Sequence, residues 1–271
     1  MSRDYRLLAL DLDGTLTNSR KEITPPTLKA LIDIQEKGVK VVLASGRPVY
    51  GIIPLAEQLH LADYGSYLLG FNGGRIIDCR TKQAVYNQTL PDNIVMTLFH
   101  MVKQYPGLDI ITYTDDRILS GINPNKYTEL ESRINHMPVI EMVDFTINVP
   151  EHLNKFLVTG EPEIIARCKD ELTAYYHTKL SIYCSDPFFL EIMPRGIDKG
   201  NSLSQLLKTT GISAEQMICC GDGYNDITMI ELAGLGVAME NAQPIVKSLA
   251  DYITKSNDED GVLHVINKFL L

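Results

Sequence analysis

Two aspartates two positions apart close a short apolar run: Arg6-Leu7-Leu8-Ala9-Leu10 leads directly into Asp11-Leu12-Asp13-Gly14-Thr15. In an extended chain, residues two apart point the same way, so Asp11 and Asp13 can stand together at a strand's carboxyl end. Two close carboxylates repel and need a cation, a shared proton or solvent. For these two residues alone, a solvated Asp-Gly turn is the plainer alternative. Ser45-Gly46-Arg47-Pro48 closes a second apolar run at residues 39–44. A hydroxyl with a free backbone amide just ahead of a helix makes an anion site, and Gly46 lets the backbone come close, although Ser-Gly turns are common. Gly221-Asp222-Gly223-Tyr224-Asn225-Asp226 follows a third run at 217–220. Asp222 can meet a metal directly, and Asn225 and Asp226 can reach back from the next helix. Hard oxygen ligands suit magnesium, which keeps waters and shares a substrate phosphate. Lys199, in Ile197-Asp198-Lys199-Gly200, stands at a helix start and by itself reads more plainly as a surface lysine. Together the four segments hold what is needed to bind a phosphoryl group and one divalent cation and to present a nucleophile.

Such segments need strands to carry them. Residues 6–10 read as a buried strand. Thr24-Pro25-Pro26 opens a helix with Leu28, Leu31, Ile32 and Ile34 on its apolar face; Thr24 suits the cap and proline the first turn, and Gly38 ends it. A strand at 39–44, a helix at 48–59 and a strand at 67–71 follow. This alternation predicts an α/β fold, a parallel sheet flanked by helices, with ligands at the carboxyl ends of the strands. After about Val85 the texture changes: 109–113 and 117–120 read as a hairpin, 92–104 and 161–175 as helices, 179–184 and 188–193 as strands. From Asp198 the α/β rhythm resumes with a helix to 207, a strand at 217–220, a helix at 225–232, a strand at 237–239 and a helix at 260–271. The expected organisation is a discontinuous core, 1–84 and 191–271, interrupted by an α+β insert at 85–190.

The formal net charge of −9 disfavours nucleic acid, which needs clustered Lys and Arg. The insert carries 14 Asp/Glu and eight Lys/Arg, hence −6, and suits no polyanion. No apolar run approaches a membrane span, and the charged start Met1-Ser2-Arg3-Asp4 is unlike a signal peptide. Five cysteines, an odd number in no zinc or disulfide spacing, read as reduced core thiols of a cytoplasmic protein. Gly234-Leu235-Gly236 lacks the third glycine of a dinucleotide fingerprint, and no phosphate-loop or His-Glu-x-x-His motif occurs.

In order along the chain, the four segments resemble the haloacid dehalogenase superfamily of phosphohydrolases. Asp11-Leu12-Asp13-Gly14-Thr15 matches the first motif, Ser45-Gly46-Arg47 the second, Lys199 the third, and Gly221-Asp222 with Asn225-Asp226 the fourth. The large insert resembles the Cof-type subfamily with a C2-type cap, as do Phe71-Asn72-Gly73-Gly74, Phe189-Leu190-Glu191-Ile192, the segment from Gly236 to Ala242 and Asp260-Gly261-Val262. The resemblance implies a Rossmann-like core with an inserted cap. It implies Asp11 as nucleophile, forming an aspartyl-phosphate, and Asp13 as general acid and then base. It further implies magnesium held by the Asp11 and Asp222 carboxylates and the Asp13 carbonyl. It implies that Ser45, the Gly46 and Leu12 amides, Lys199 and Asn225 hold phosphoryl oxygens and that Asp226 stands behind the metal ligands. The expected substrate is a small phosphorylated metabolite, a sugar phosphate foremost, hydrolysed by a monomer or small homo-oligomer. A phosphomutase on the same scaffold and a non-catalytic phosphate sensor are the alternatives. Asp11, Asp13, Lys199 and Asp222 together argue against the sensor, which needs neither nucleophile nor acid.

Overall fold

The computed structural model describes residues 4–271; the charged start at residues 1–3, read above as unlike a signal peptide, lies outside the described residues. Strand Leu7–Leu10 is buried at all four positions. Leu8 and Leu10 join one apolar cluster with Leu31, Ile34, Val265 and Ile266, which come from helices Pro25–Glu36 and Gly261–Phe269. Leu7 and Ala9 join another with Leu203, Leu206 and Leu207 of helix Lys199–Thr210. A strand covered on both faces reads as a continuous apolar run, which is what the sequence presents.

That strand sits inside an eight-stranded sheet. Its order is Tyr252–Ile253, Leu235–Ala238, Met217–Gly221, Leu7–Leu10, Lys40–Ala44, Tyr67–Gly70, Arg75–Asp78 and Ala84–Asn87. The first six strands pair in parallel, and Arg75–Asp78 returns antiparallel. Leu10 is level with both Cys220 and Leu43. The register therefore brings the ends of three strands, followed by Asp11, Ser45 and Asp222, to one edge of the sheet.

The chain divides into two compact units, 87–197 forming one and the flanking segments 1–86 and 198–271 the other. The second unit has its own six-stranded sheet: Leu180–Asp186, Phe189–Pro194, Phe156–Thr159, Asp109–Tyr113, Ile118–Ser120 and Val139–Glu141. It also has its own core, in which Leu98, Val102, Ile165 and Leu172 from helices Val95–Lys103 and Pro162–Tyr176 cover Ile110, Val158, Leu190 and Ile192. The expected return to the first unit at 191 is corrected to 198. Phe189–Pro194 pairs antiparallel with both Leu180–Asp186 and Phe156–Thr159, so cutting at 191 would split a central strand. The helix expected at 48–59 is a 3-10 turn, Val49–Ile52, followed by helix Ile53–Gln58. Among the described residues, no helix is long and apolar enough to cross a membrane.

Candidate active site

Asp11 continues the first strand by one residue, its amide donating to the Cys220 carbonyl at 3.0 Å. The chain then turns tightly. The Leu12 carbonyl accepts from the Thr17 amide at 3.0 Å and the Thr17 hydroxyl at 2.9 Å, and Gly14 takes φ +87°. Gly14 is required there twice over: the left-handed backbone disfavours a side chain, and a Cβ would lie 2.5 Å from Asp222 Oδ2. Thr15 Oγ1 donates to Asp222 Oδ1 at 3.1 Å, and Asn241 Nδ2 to the Gly14 carbonyl at 2.8 Å.

Lys199 is the first residue of its helix, whose cap, Asp198, accepts from the Asn201 amide at 2.8 Å. A Cβ at Gly200 would lie 2.3 Å from the Thr228 carbonyl oxygen, so the missing side chain lets this helix lie close to helix Ile227–Leu232. Lys199 is not a surface lysine: it is fully buried, with Nζ 2.7 Å from Asp11 Oδ1 and 2.6 Å from Asp226 Oδ1. The other oxygen of Asp226 accepts from the Asp222 and Gly223 amides, both at 2.9 Å. Both Asp226 oxygens are thus engaged by protein donors.

Asp11, Asp222 and Asp226 each place an oxygen within 4.8 Å of the others. Three carboxylates share one ammonium, and the electrostatics reflect the deficit. Burial and the Asp226 charge push the Asp11 pKa up to about 8, against the pull of Lys199. Asp222 is raised by burial and by Asp226. Lys199, which burial alone would lower, is raised by Asp11 and Asp226. The Asp11 and Asp222 carboxyls lie close together, and two such charges need a shared proton or a cation to offset them. A divalent ion fits this cluster, because the donors are hard oxygens and the missing charge is positive.

Asp13 goes elsewhere. Its carboxylate takes a two-pronged contact from Arg47, Nε at 2.9 Å and a terminal nitrogen at 2.6 Å, and a third from Lys21 Nζ at 2.8 Å. Burial would raise its pKa, but the Arg47 and Lys21 hydrogen bonds and charges outweigh it and hold the group below the usual carboxylate range. Asp11 and Asp13 thus leave one strand end toward different partners. Neither cation was given a role from the sequence. Lys21 sits in a left-handed turn, φ +63°, that no periodicity announces.

Ser45 is buried, its amide donating to the Leu69 carbonyl at 2.8 Å and its Oγ accepting from the Arg47 amide at 3.2 Å. Asn225, in the 3-10 turn Tyr224–Asp226, donates from Nδ2 to Asn72 Oδ1 at 3.0 Å. Asn72 also packs on Gly46, where a Cβ would lie 3.1 Å from its Oδ1. The structure therefore gathers Asp11, Leu12, Ser45, Gly46, Lys199, Asp222, Asn225 and Asp226 at neighbouring strand ends, with Asp13 on the adjoining turn. It adds Thr15, Lys21, Arg47 and Asn72. A family signature pointed to Asn72 without a function, and Thr15 and Arg47 lay unassigned within recognised motifs.

Residues 8–266 match the model of the haloacid dehalogenase-like hydrolases. A Streptococcus pyogenes serotype M6 protein provisionally named a phosphatase is 35% identical, with 98% of each chain covered. The crystal structure of a haloacid dehalogenase-like hydrolase from Bacteroides thetaiotaomicron superposes with a TM-score of 0.94 at 44% identity, covering 97% of this chain and 99% of that one. The structure of a subclass IIB sugar phosphatase superposes with a TM-score of 0.80 at 25% identity, covering 97% and 98%. With the match spanning nearly its whole length, the chain belongs to the haloacid dehalogenase-like hydrolases, in the Cof-type subfamily.

Proposed function

We propose that the protein is a phosphoric monoester hydrolase that releases phosphate from small phosphorylated metabolites, sugar phosphates foremost, with Asp11 as the nucleophile and magnesium as the cofactor. The observation that carries this reading is the buried Asp11–Lys199–Asp226 bridge with Asp222 alongside, three carboxylates and one ammonium at adjoining strand ends. Asp11 and Asp222 would hold the ion together with the Asp13 carbonyl. When bound, magnesium shields the negative charge of the substrate from the attacking carboxylate.

The protein's own groups do the rest. Lys199 orients Asp11 through Oδ1, leaving Oδ2 to attack phosphorus; the P–O bond to the leaving group breaks as the Asp11–phosphorus bond forms. Lys199, the Ser45 hydroxyl, the Gly46 and Leu12 amides and Asn225 stabilise charge on the phosphoryl oxygens. Asp13 gives a proton to the leaving alcohol and later takes one from the water that cleaves the aspartyl-phosphate. Arg47 and Lys21 favour its ionised form, the form suited to the second half; in the first half Asp13 must carry a proton and release Arg47. Asp226 holds Lys199 and the Asp222 and Gly223 amides in place.

Specificity for the leaving group is assigned to unit 87–197, since the first unit's groups read only the phosphoryl group that all such substrates share. The sugar phosphatase likeness and the insert's negative charge both favour a neutral, hydroxyl-rich leaving group. Five free thiols suit a reducing compartment such as the cytoplasm.

The test is phosphate release from a panel of phosphorylated metabolites and an aryl phosphate, with and without magnesium, by the wild type and by Asp11→Asn. Magnesium-dependent release that Asp11→Asn abolishes is the expected result. Wild-type turnover by that variant sinks the nucleophile assignment.

A further inference from the structure

Between strands Tyr67–Gly70 and Arg75–Asp78 the chain reverses through Phe71-Asn72-Gly73-Gly74, and Gly70 pairs with Arg75 across the turn. The backbone there is strained. Phe71 has φ +53° and Asn72 φ +52°, and Gly73 follows at +105°. Two successive non-glycine residues in the left-handed region are strained, Phe71 more so than Asn72, because the L side chain crowds the backbone there. Such strain persists only where the surroundings over-determine it.

The surroundings are the phosphoryl-binding segments. The Phe71 amide donates to the Arg47 carbonyl and the Asn72 amide to the Ser45 carbonyl, both at 2.9 Å. Ser202, on the helix that begins with Lys199, donates through Oγ to the Gly73 carbonyl at 2.7 Å. The Asn72 side chain, buried against Gly46, accepts from Asn225 Nδ2 at 3.0 Å. One four-residue turn is therefore tied to the segments of Ser45, Lys199 and Asn225. Its only long polar side chain spans the gap between two of them. Asparagine suits both tasks: it tolerates left-handed backbone better than most residues, and its carbonyl oxygen accepts without adding a negative charge beside an anionic substrate.

We infer that Asn72 is a positioning residue for phosphoryl transfer, fixing the Asn225 amide through Oδ1 and the Ser45 segment through its backbone amide so that donors from the second and fourth motifs converge on one phosphoryl group. This rests on the reading that Ser45, Gly46 and Asn225 bind phosphoryl oxygens.

The test is a double-mutant cycle of Asn72→Gly and Asn225→Ala in magnesium-containing buffer, with an aryl phosphate as substrate and inorganic phosphate as competing ligand. Glycine is chosen because it adopts the left-handed backbone freely and preserves the turn. Asn72→Gly should lower kcat/KM roughly 10-fold and weaken inorganic phosphate comparably, the scale of one hydrogen bond to a charged group, with the unfolding midpoint nearly unchanged. In the Asn225→Ala background the same change should have little further effect, because the group that Asn72 positions is gone. Asn72→Asp keeps the acceptor and the backbone tolerance; its kcat should stay closer to wild type than that of Asn72→Gly while its KM rises with the added charge. Multiplicative effects in the double variant, or wild-type phosphate affinity in Asn72→Gly, overturn the inference. A wild type that binds inorganic phosphate but releases none from any ester would instead count against the hydrolase reading, and the cycle would then be read on phosphate affinity alone.

Discussion

Replacing Lys199 by methionine keeps most of the length of the side chain and removes its charge. The side chain is fully buried and bridges Asp11, 9% exposed at its side chain, and Asp226, which is fully buried. Breaking a buried pair from one side costs about 3–5 kcal/mol, because it strands an uncompensated charge. Here two carboxylates lose their cation at once, with Asp222 adding to the repulsion. Asp11 already has its pKa at about 8 and can relieve part of the strain by holding a proton, so the lower end of that range applies in metal-free solution at neutral pH. At about 1.4 kcal/mol per factor of ten, the folded-to-unfolded ratio falls by roughly 10². A bound divalent ion restores positive charge, and any ligand of the folded state adds about 2.7 kcal/mol at 100 times its Kd. Magnesium should therefore recover much of the stability and none of the activity, which falls at least about 10²-fold with the loss of a phosphoryl donor.

The assay is urea unfolding followed by far-UV circular dichroism, since the chain has no tryptophan. It is run with magnesium and with chelator. Because the chain has two compact units, the relevant transition is the one that magnesium shifts. Lys208→Met is the control: Lys208 lies exposed on the same helix, and its replacement should change stability by less than about 0.5 kcal/mol. A metal-free Lys199→Met within 1 kcal/mol of wild type would refute the buried bridge, on the scale at which pair removal is felt.

Two further outcomes follow from the same geometry. In metal-free protein Asp11 binds a proton more tightly folded than unfolded, so between its ordinary value of 3.8 and about 8 its contribution to stability falls as pH rises; magnesium must displace that proton, so its affinity, measured by calorimetry with proton release, should climb with pH and level off near 8. Gly14→Ala adds backbone strain of order 1–3 kcal/mol and forces Asp222 aside, so magnesium titration of activity should show weakened metal binding, and unaltered binding would mean that Asp222 does not hold the ion.

The core was legible where burial is two-sided. Leu7 to Leu10 and residues 217–220 read as strands because every position is apolar, and carboxylates directly after such runs are conspicuous. What stayed hidden depends on polar packing. Helix Lys126–Asn135 buries Thr128, Glu131 and Asn135; Thr128 meets Asp109 and Thr159, Glu131 accepts from Tyr113, and Asn135 donates to the Glu131 carbonyl, so the helix shows no apolar stripe. Strand Phe156–Thr159 is three apolar residues and a threonine, too short to tell from a buried helical turn. The division at 191 failed because strand pairing inside the insert, invisible in local pattern, carries Phe189–Pro194 with the second sheet. Asp13 was placed beside Asp11 by strand geometry alone. That rule ends with the strand: the turn after Asp11 frees the next residues from alternation, and Arg47 and Lys21 decide where Asp13 points.

The same contrast explains why the charge deficit survives folding. Apolar burial on both faces of the central strands holds their ends in register whatever those ends carry, so the sheet can force carboxylates together that would separate in a looser structure. Asp226 cannot swing away, since two backbone amides and Lys199 fix both its oxygens. Asp222 is held by Thr15 and crowded by the Gly14 backbone. Asp11 is tied by its amide to Cys220 and by its carboxylate to Lys199. Each group is anchored by a different element, so no single rotation relieves the repulsion. What remains to relieve it is a proton on Asp11 or a cation between Asp11 and Asp222, and only the cation leaves Asp11 ionised and able to attack.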